Sequence, residues 1–161
     1  MNRTNRRAIA RIVVGVDGSE GSTDALRWAI DLASGMDAEV IAVHAHELPR
    51  YVPRAAGAPY VPELENWERL ARQDFELRWC APLATSGLRH RMVFEVGTPG
   101  EVLLGLAERV AADLIVTGRR GRSELVELLA GSVSQRMVHR AHCAVVVVPS
   151  AAAEAHAAAT A

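Results

Sequence analysis

Five short runs along the chain have strand length and strand composition: Ile12 to Val16, Ala38 to Ala45, Arg91 to Val96, Leu114 to Thr117, and Ala144 to Val148. Most are continuously apolar rather than alternating, which is the pattern of strands covered on both faces. Between them the period changes. Ala25, Leu26, Ala29, Ile30, Leu32 and Ala33 fall on one side of a helix, and Val102, Leu103, Leu106, Ala107, Val110 and Ala111 on one side of another. A looser stripe of Leu64, Trp67, Leu70, Ala71, Phe75, Leu77 and Trp79 predicts a long helix from Pro62 to about Ser86, with Trp67 and Trp79 packed against the sheet. Strands that alternate with helical segments predict an α/β fold, an open five-stranded parallel sheet with helices on both faces.

The punctuation agrees with this division. Asp17 to Ser22 reads as a turn, with Ser22 as the N-cap of the first helix and Gly35 as its stop. Thr98-Pro99-Gly100-Glu101 is a capping box with Pro at the first helical position, and Ser132-Val133-Ser134-Gln135 is a second box with Ser132 at the N-cap. Ser123 to Ala130 reads as a short helix. Glu47 to Glu65 holds Pro49, Pro53, Pro59 and Pro62 and reads as an irregular loop near the carboxyl edge of the sheet. The expected organisation is a flexible segment over residues 1–8, one domain over 9–149, and an alanine-rich disordered tail over 150–161.

Candidate chemistry is concentrated after the fourth strand. That run feeds into Gly118-Arg119-Arg120-Gly121, and nine residues later comes Gly131-Ser132 at a helix start. A first helical turn carries unpaired N–H groups and roughly half a positive charge. Gly131 would let an anion approach it, Gly118 and Gly121 are expected to allow left-handed turns that aim amides into one concavity, and Arg119, Arg120 and Arg122 add donors. Phosphate is the predicted guest. At the end of the first strand, Asp17 reads on its own as a turn aspartate, and His44 as a strand-end histidine with a local hydrogen bond. His139, His142 and Cys143 lack a fourth ligand for a metal centre.

The spacing Gly118-x2-Gly121-x9-Gly131-Ser132 between two apolar strands resembles the nucleotide-binding signature of the universal stress protein family, in its ATP-binding branch. The opening strand Arg11 to Val16 with Asp17-Gly18-Ser19 is similar to that family's first strand and acidic turn. The resemblance spans about residues 9–149. It implies a Rossmann-like fold of the adenine nucleotide alpha hydrolase-like type, and ATP lying along the carboxyl edge. Adenine and ribose would lie near Gly15, Val16, Asp17 and Ala45. The phosphates would rest on Gly118, Gly121, Gly131, Ser132, Val133 and Ser134, with Arg119 beside them, Thr117 near the nucleoside pocket, and a bridging Mg held without a protein cage. It also implies a homodimer paired through Ala144 to Val148, and a nucleotide-dependent stress or dormancy regulator acting on an unknown partner protein. A slow ATPase or phosphotransferase and a non-binding interaction module of the same fold are the alternatives. Gly15 stands where the family often has Pro, and Thr117 where it has a hydrophobic residue.

Composition narrows the chemistry further. Half of the 161 residues are hydrophobic and the net charge is −1, enough for a core and no general reason to expect nucleic acid or an anionic membrane. All 18 basic residues are Arg, which excludes a Walker lysine and a Schiff-base lysine and leaves phosphate to backbone amides and guanidinium groups. Cys80 and Cys143 are far apart, and Met1 to Arg7 is polar, so a reducing, cytoplasmic setting is expected. No G-x-G-x-x-G, G-x-S-x-G or H-E-x-x-H motif is present.

Overall fold

The computed structural model describes residues 8–47, 61–119 and 132–149. The elements in order are β1 (Arg11–Gly15), α1 (Glu20–Ser34), β2 (Glu39–His46), α2 (Val61–Asp74), a π-helical turn (Phe75–Trp79), α3 (Ala81–Ala84), β3 (His90–Val96), α4 (Pro99–Arg109), β4 (Leu114–Gly118), α5 (Ser132–Arg140) and β5 (Ala144–Val148). The five strands are all parallel, in the order β3-β2-β1-β4-β5. This is the predicted fold. The short helix expected over Ser123 to Ala130, the body of the Pro-rich loop and both termini lie outside the described residues.

Alternation along the central strands divides the core in two. Ile12, Val14, Val40, Ala42 and Val116 face α1, the π-helical turn and α3, where they meet Leu26, Ala29, Phe75 and Leu83. Val13, Ile41, Val43 and Ile115 face α4 and α5, where they meet Leu103, Leu106 and Met137. At the amino edge Asp113 Oδ2 accepts from the amides of Ala10 (2.9 Å) and Arg11 (3.1 Å), which ties the entry of β4 to that of β1.

Three local expectations need correction. The first helix starts a turn earlier than Ser22: Ser19 is the N-cap, and its side chain accepts from the Ser22 amide. At Thr98 the N-cap position and Pro99 are as predicted, but the hydroxyl donates to Glu101 Oε2 (2.8 Å) instead of capping an amide.

The third concerns the predicted long helix, which is in three pieces. Phe75, Trp79 and Leu83 face the core at i,i+4 steps, with Cys80 beside them, and such steps would drift around an ordinary 3.6-residue helix. The wider turn closed by Cys80 N donating to Phe75 O (3.0 Å) absorbs that drift. Trp67, Leu70 and Leu77 point outward, 56%, 45% and 66% exposed, and Trp67 does not pack on the sheet.

Candidate functional site

The strand order reverses direction between β1 and β4, and in open parallel sheets the crevice beyond the carboxyl ends at such a point is where ligands bind. Four of the predicted residues come from the two strands that flank it: Gly15 ends β1, Val16 and Asp17 follow it, and Gly118 ends β4. Thr117 is buried one residue earlier, and Arg119 follows with its amide on Val148 O (2.8 Å). Ala45 lies next to the end of β2, on the neighbouring strand. Ser132, Val133 and Ser134 form the first turn of α5. Val133 packs into the same apolar cluster as Val13, Val43 and Ala45, so that turn and the β1 and β2 ends share one face. Gly121 and Gly131 lie outside the described residues. α5 begins at Ser132, where the sequence places a helix start.

The turn after β1 is fixed on both sides. Val16 N donates to Val43 O (2.9 Å), and Val16 O is 2.8 Å from His44 Nδ1, so the imidazole holds its proton on Nδ1 and donates it to this carbonyl. Asp17 Oδ1 accepts from the Ser19 amide (3.0 Å) and hydroxyl (2.6 Å), and the Asp17 amide donates to Ser22 Oγ (3.3 Å). Ser22 and Thr23 hydroxyls both donate to Ser19 O (3.0 Å each). Asp17 thus shapes its own turn and is held at the carboxyl edge by doing so.

Glycine is used here for space. Gly118 is not left-handed, contrary to expectation. A Cβ on it would fall 2.5 Å from the carbonyl carbon and oxygen of Gly21 and 3.0 Å from Ser22 N, so the end of β4 runs against the first turn of α1. Gly18 is the left-handed residue, at φ +80°, and a Cβ there would meet the Trp79 indole at 2.5 Å. Sequence reasoning missed Trp79 at this position; its i,i+4 spacing from Phe75 signals an inward face but not the contact with Gly18.

His44 is the buried, locally bonded histidine expected, and it is also the centre of an aromatic cluster. Its ring centroid lies 5.1 Å from Trp79, 5.2 Å from Phe94 and 5.8 Å from Phe75. Arg72 caps this group, 4.2 Å over the Phe94 ring. Among the described residues no group of three or more His, Cys, Asp or Glu could hold a metal ion, and no helix is long and apolar enough to cross a membrane. Both cysteines are free.

A sheet order with its reversal beside an acidic turn, an apolar floor on one face and a glycine at the end of β4 define an α/β protein with an open parallel sheet and a crevice at its carboxyl edge. The chain matches the Universal stress protein family over residues 8–149 and belongs to it. It is 32% identical to Universal stress protein MJ0531 of Methanocaldococcus jannaschii, over 91% of this chain and 85% of that protein. It is 30% identical to Universal stress protein YxiE of Bacillus subtilis, over 86% and 97%. Among solved structures the fold matches the hypothetical protein MJ0577 with a TM-score of 0.72 at 22% identity, covering 88% of this chain and 96% of that one. It matches a universal stress protein in complex with cAMP at 0.59 and 28%, covering 89% and 99%, and one from Archaeoglobus fulgidus in complex with dAMP at 0.60 and 22%, covering 88% and 98%.

Proposed function

We propose that this protein binds an adenine nucleotide, ATP with Mg, along the carboxyl edge of its sheet, and that nucleotide occupancy sets its interaction with a regulatory partner in a stress or dormancy response. The observation that carries the reading is the arrival of the β1, β2 and β4 ends and the first turn of α5 at one edge, beside the reversal in strand order. The solved relatives with cAMP and dAMP support the adenine nucleotide. In this reading Gly15, Val16, Asp17 and Ala45 meet the nucleoside, mainly through backbone and apolar surface. The phosphates lie on amides of Gly118, Gly121, Gly131, Ser132, Val133 and Ser134, flanked by Arg119, and Thr117 is near the nucleoside.

The donor set fits a polyphosphate better than it fits a protein-caged metal. Main-chain amides and guanidinium groups bind anions, and Asp17 is a carboxylate held at this edge by its own turn. A divalent ion would therefore take most of its ligands from phosphate oxygens and water, and would supply charge neutralisation along the tail. No catalytic residue is assigned. His44 is buried with Nδ1 on Val16 O, and Asp17 Oδ1 is engaged by Ser19.

β5 is an edge strand carrying four consecutive valines, and in this reading it pairs with the same strand of a second copy, which removes an apolar unpaired edge. The deciding experiment is a melting-temperature titration with ATP and magnesium. A saturable rise that Gly131→Ala or Ser132→Ala abolishes supports the reading, and no rise at millimolar ATP overturns it. Sedimentation equilibrium tests the dimer.

A further inference from the structure

Arg136 lies on α5 four residues after Ser132, and its side chain rests on the first turn of α4. A Cβ built on Gly100 would fall 2.6 Å from Arg136 Cδ, 3.3 Å from Nε and 3.5 Å from Nη1. Gly100 is buried while Arg136 is exposed, so the stem and guanidinium lie over a backbone that has no side chain of its own to push them away.

The position of that contact follows from its neighbours. Leu103 is one turn along α4 from Gly100 on the same side, and a Cβ on Gly15 would stand 3.2 Å from Leu103 Cδ2. A crossover helix runs back against the strands, so the first turn of α4 is at the carboxyl edge. Contacts therefore climb from Gly15, at the end of β1, through Leu103 to Gly100 and then to Arg136. On the α5 side, Val133 and Met137 bracket Arg136 and enter the same cluster as Val43 and Leu103.

Several described arginines are paired, such as Arg91 with Glu39 (2.7 Å) and Arg109 with Glu95 (2.6 Å). Arg136 makes no hydrogen bond or ion pair among the described residues. A guanidinium is charged at every relevant pH and offers five donors in a fork that suits phosphate oxygens. The anion that the nucleotide reading brings to this edge is the phosphate tail.

We propose that Arg136 binds the phosphate chain of the nucleotide from the α4 side, and that Gly100 lacks a side chain so that the guanidinium can lie there. This rests on the nucleotide reading above. The test is calorimetric titration of ATP, ADP, AMP and adenosine into the full chain and into Arg136→Ala, Arg136→Lys and Gly100→Ala.

Arg136→Ala should weaken ATP about tenfold or more, with a smaller loss at each shorter phosphate chain and none for adenosine. Its ATP affinity should also fall less steeply with salt, and Arg136→Lys should recover part of the loss. Gly100→Ala should reproduce the pattern with the arginine still present. Its clash is with a flexible stem rather than with backbone, so its unliganded melting temperature should stay near that of the unaltered chain. Unchanged ATP affinity in Arg136→Ala, or an equal loss for adenosine, overturns the assignment. If the unaltered chain binds none of the four ligands, the nucleotide reading has failed, and this inference with it.

Discussion

Gly118 and Gly21 meet backbone to backbone, with room between them for a hydrogen but not for a methyl group: an added Cβ would be 2.5 Å from the Gly21 carbonyl. This contact lets the capped turn of α1 close over the end of β4. Gly118→Ala should therefore separate the two elements, because neither neighbour is a side chain that can swing aside. We expect a loss of about 1–3 kcal/mol in urea unfolding, and in the same variant a weaker response of melting temperature to ATP.

Trp79 and Gly18 should behave as a coupled pair. Gly18→Ala places a Cβ both at positive φ and against the indole. Trp79→Ala removes the second conflict but leaves the first. The double variant should be more stable than the sum of the single losses predicts, by about 0.5–3 kcal/mol. Simple additivity in chemical denaturation would show that the indole does not brace this turn.

His44 is expected to matter to stability through the Val16 carbonyl. Its replacement by Ala strips a buried acceptor of its partner and opens a hole among Phe75, Trp79 and Phe94. The hydrogen-bond loss alone should cost about 1–3 kcal/mol. Phe75→Ala, at a fully buried ring in the same cluster, should cost about 3–5 kcal/mol. Both are measured by denaturant midpoint, with the slope checked for constancy.

Burial, and then the Glu76 charge, push the Cys80 thiol up to about 12. Because the native state holds this proton more tightly than the unfolded chain, the contribution is complete below about pH 9 and is lost as pH rises from there toward about 12. Cys143 is also raised, by burial and then by Asp113. At pH 8 a thiol reagent should leave Cys80 unmodified in the native protein and label it in denaturant. Cys80→Ser should bring a polar hydroxyl into the core and lower the melting temperature, while Cys80→Ala should flatten the alkaline loss.

Most of the architecture could be read from the residues, because continuous apolar runs such as Ile12 to Val16 leave little choice but a strand covered on both sides. Helix starts were harder. Ser19 and Ser22 are both competent caps, and only the Asp17 bonds to Ser19 decide between them. The long second helix misled because Trp67, Leu70 and Leu77 do form a stripe, but one belonging to the outer surface. For the site, strand ends were legible and side-chain placements were not. Gly118 was expected to bend the chain, whereas it makes room for Gly21. Neither Trp79 over Gly18 nor Arg136 over Gly100 could be inferred from spacing, since each joins segments far apart in the chain.

The amide of Arg119 is still bonded to Val148 when the chain leaves β4. The last described peptide after β4 therefore shares a rung with the outermost strand. Any tension developed downstream of that rung pulls first on the rim of the sheet, the place where a neighbouring molecule would feel it.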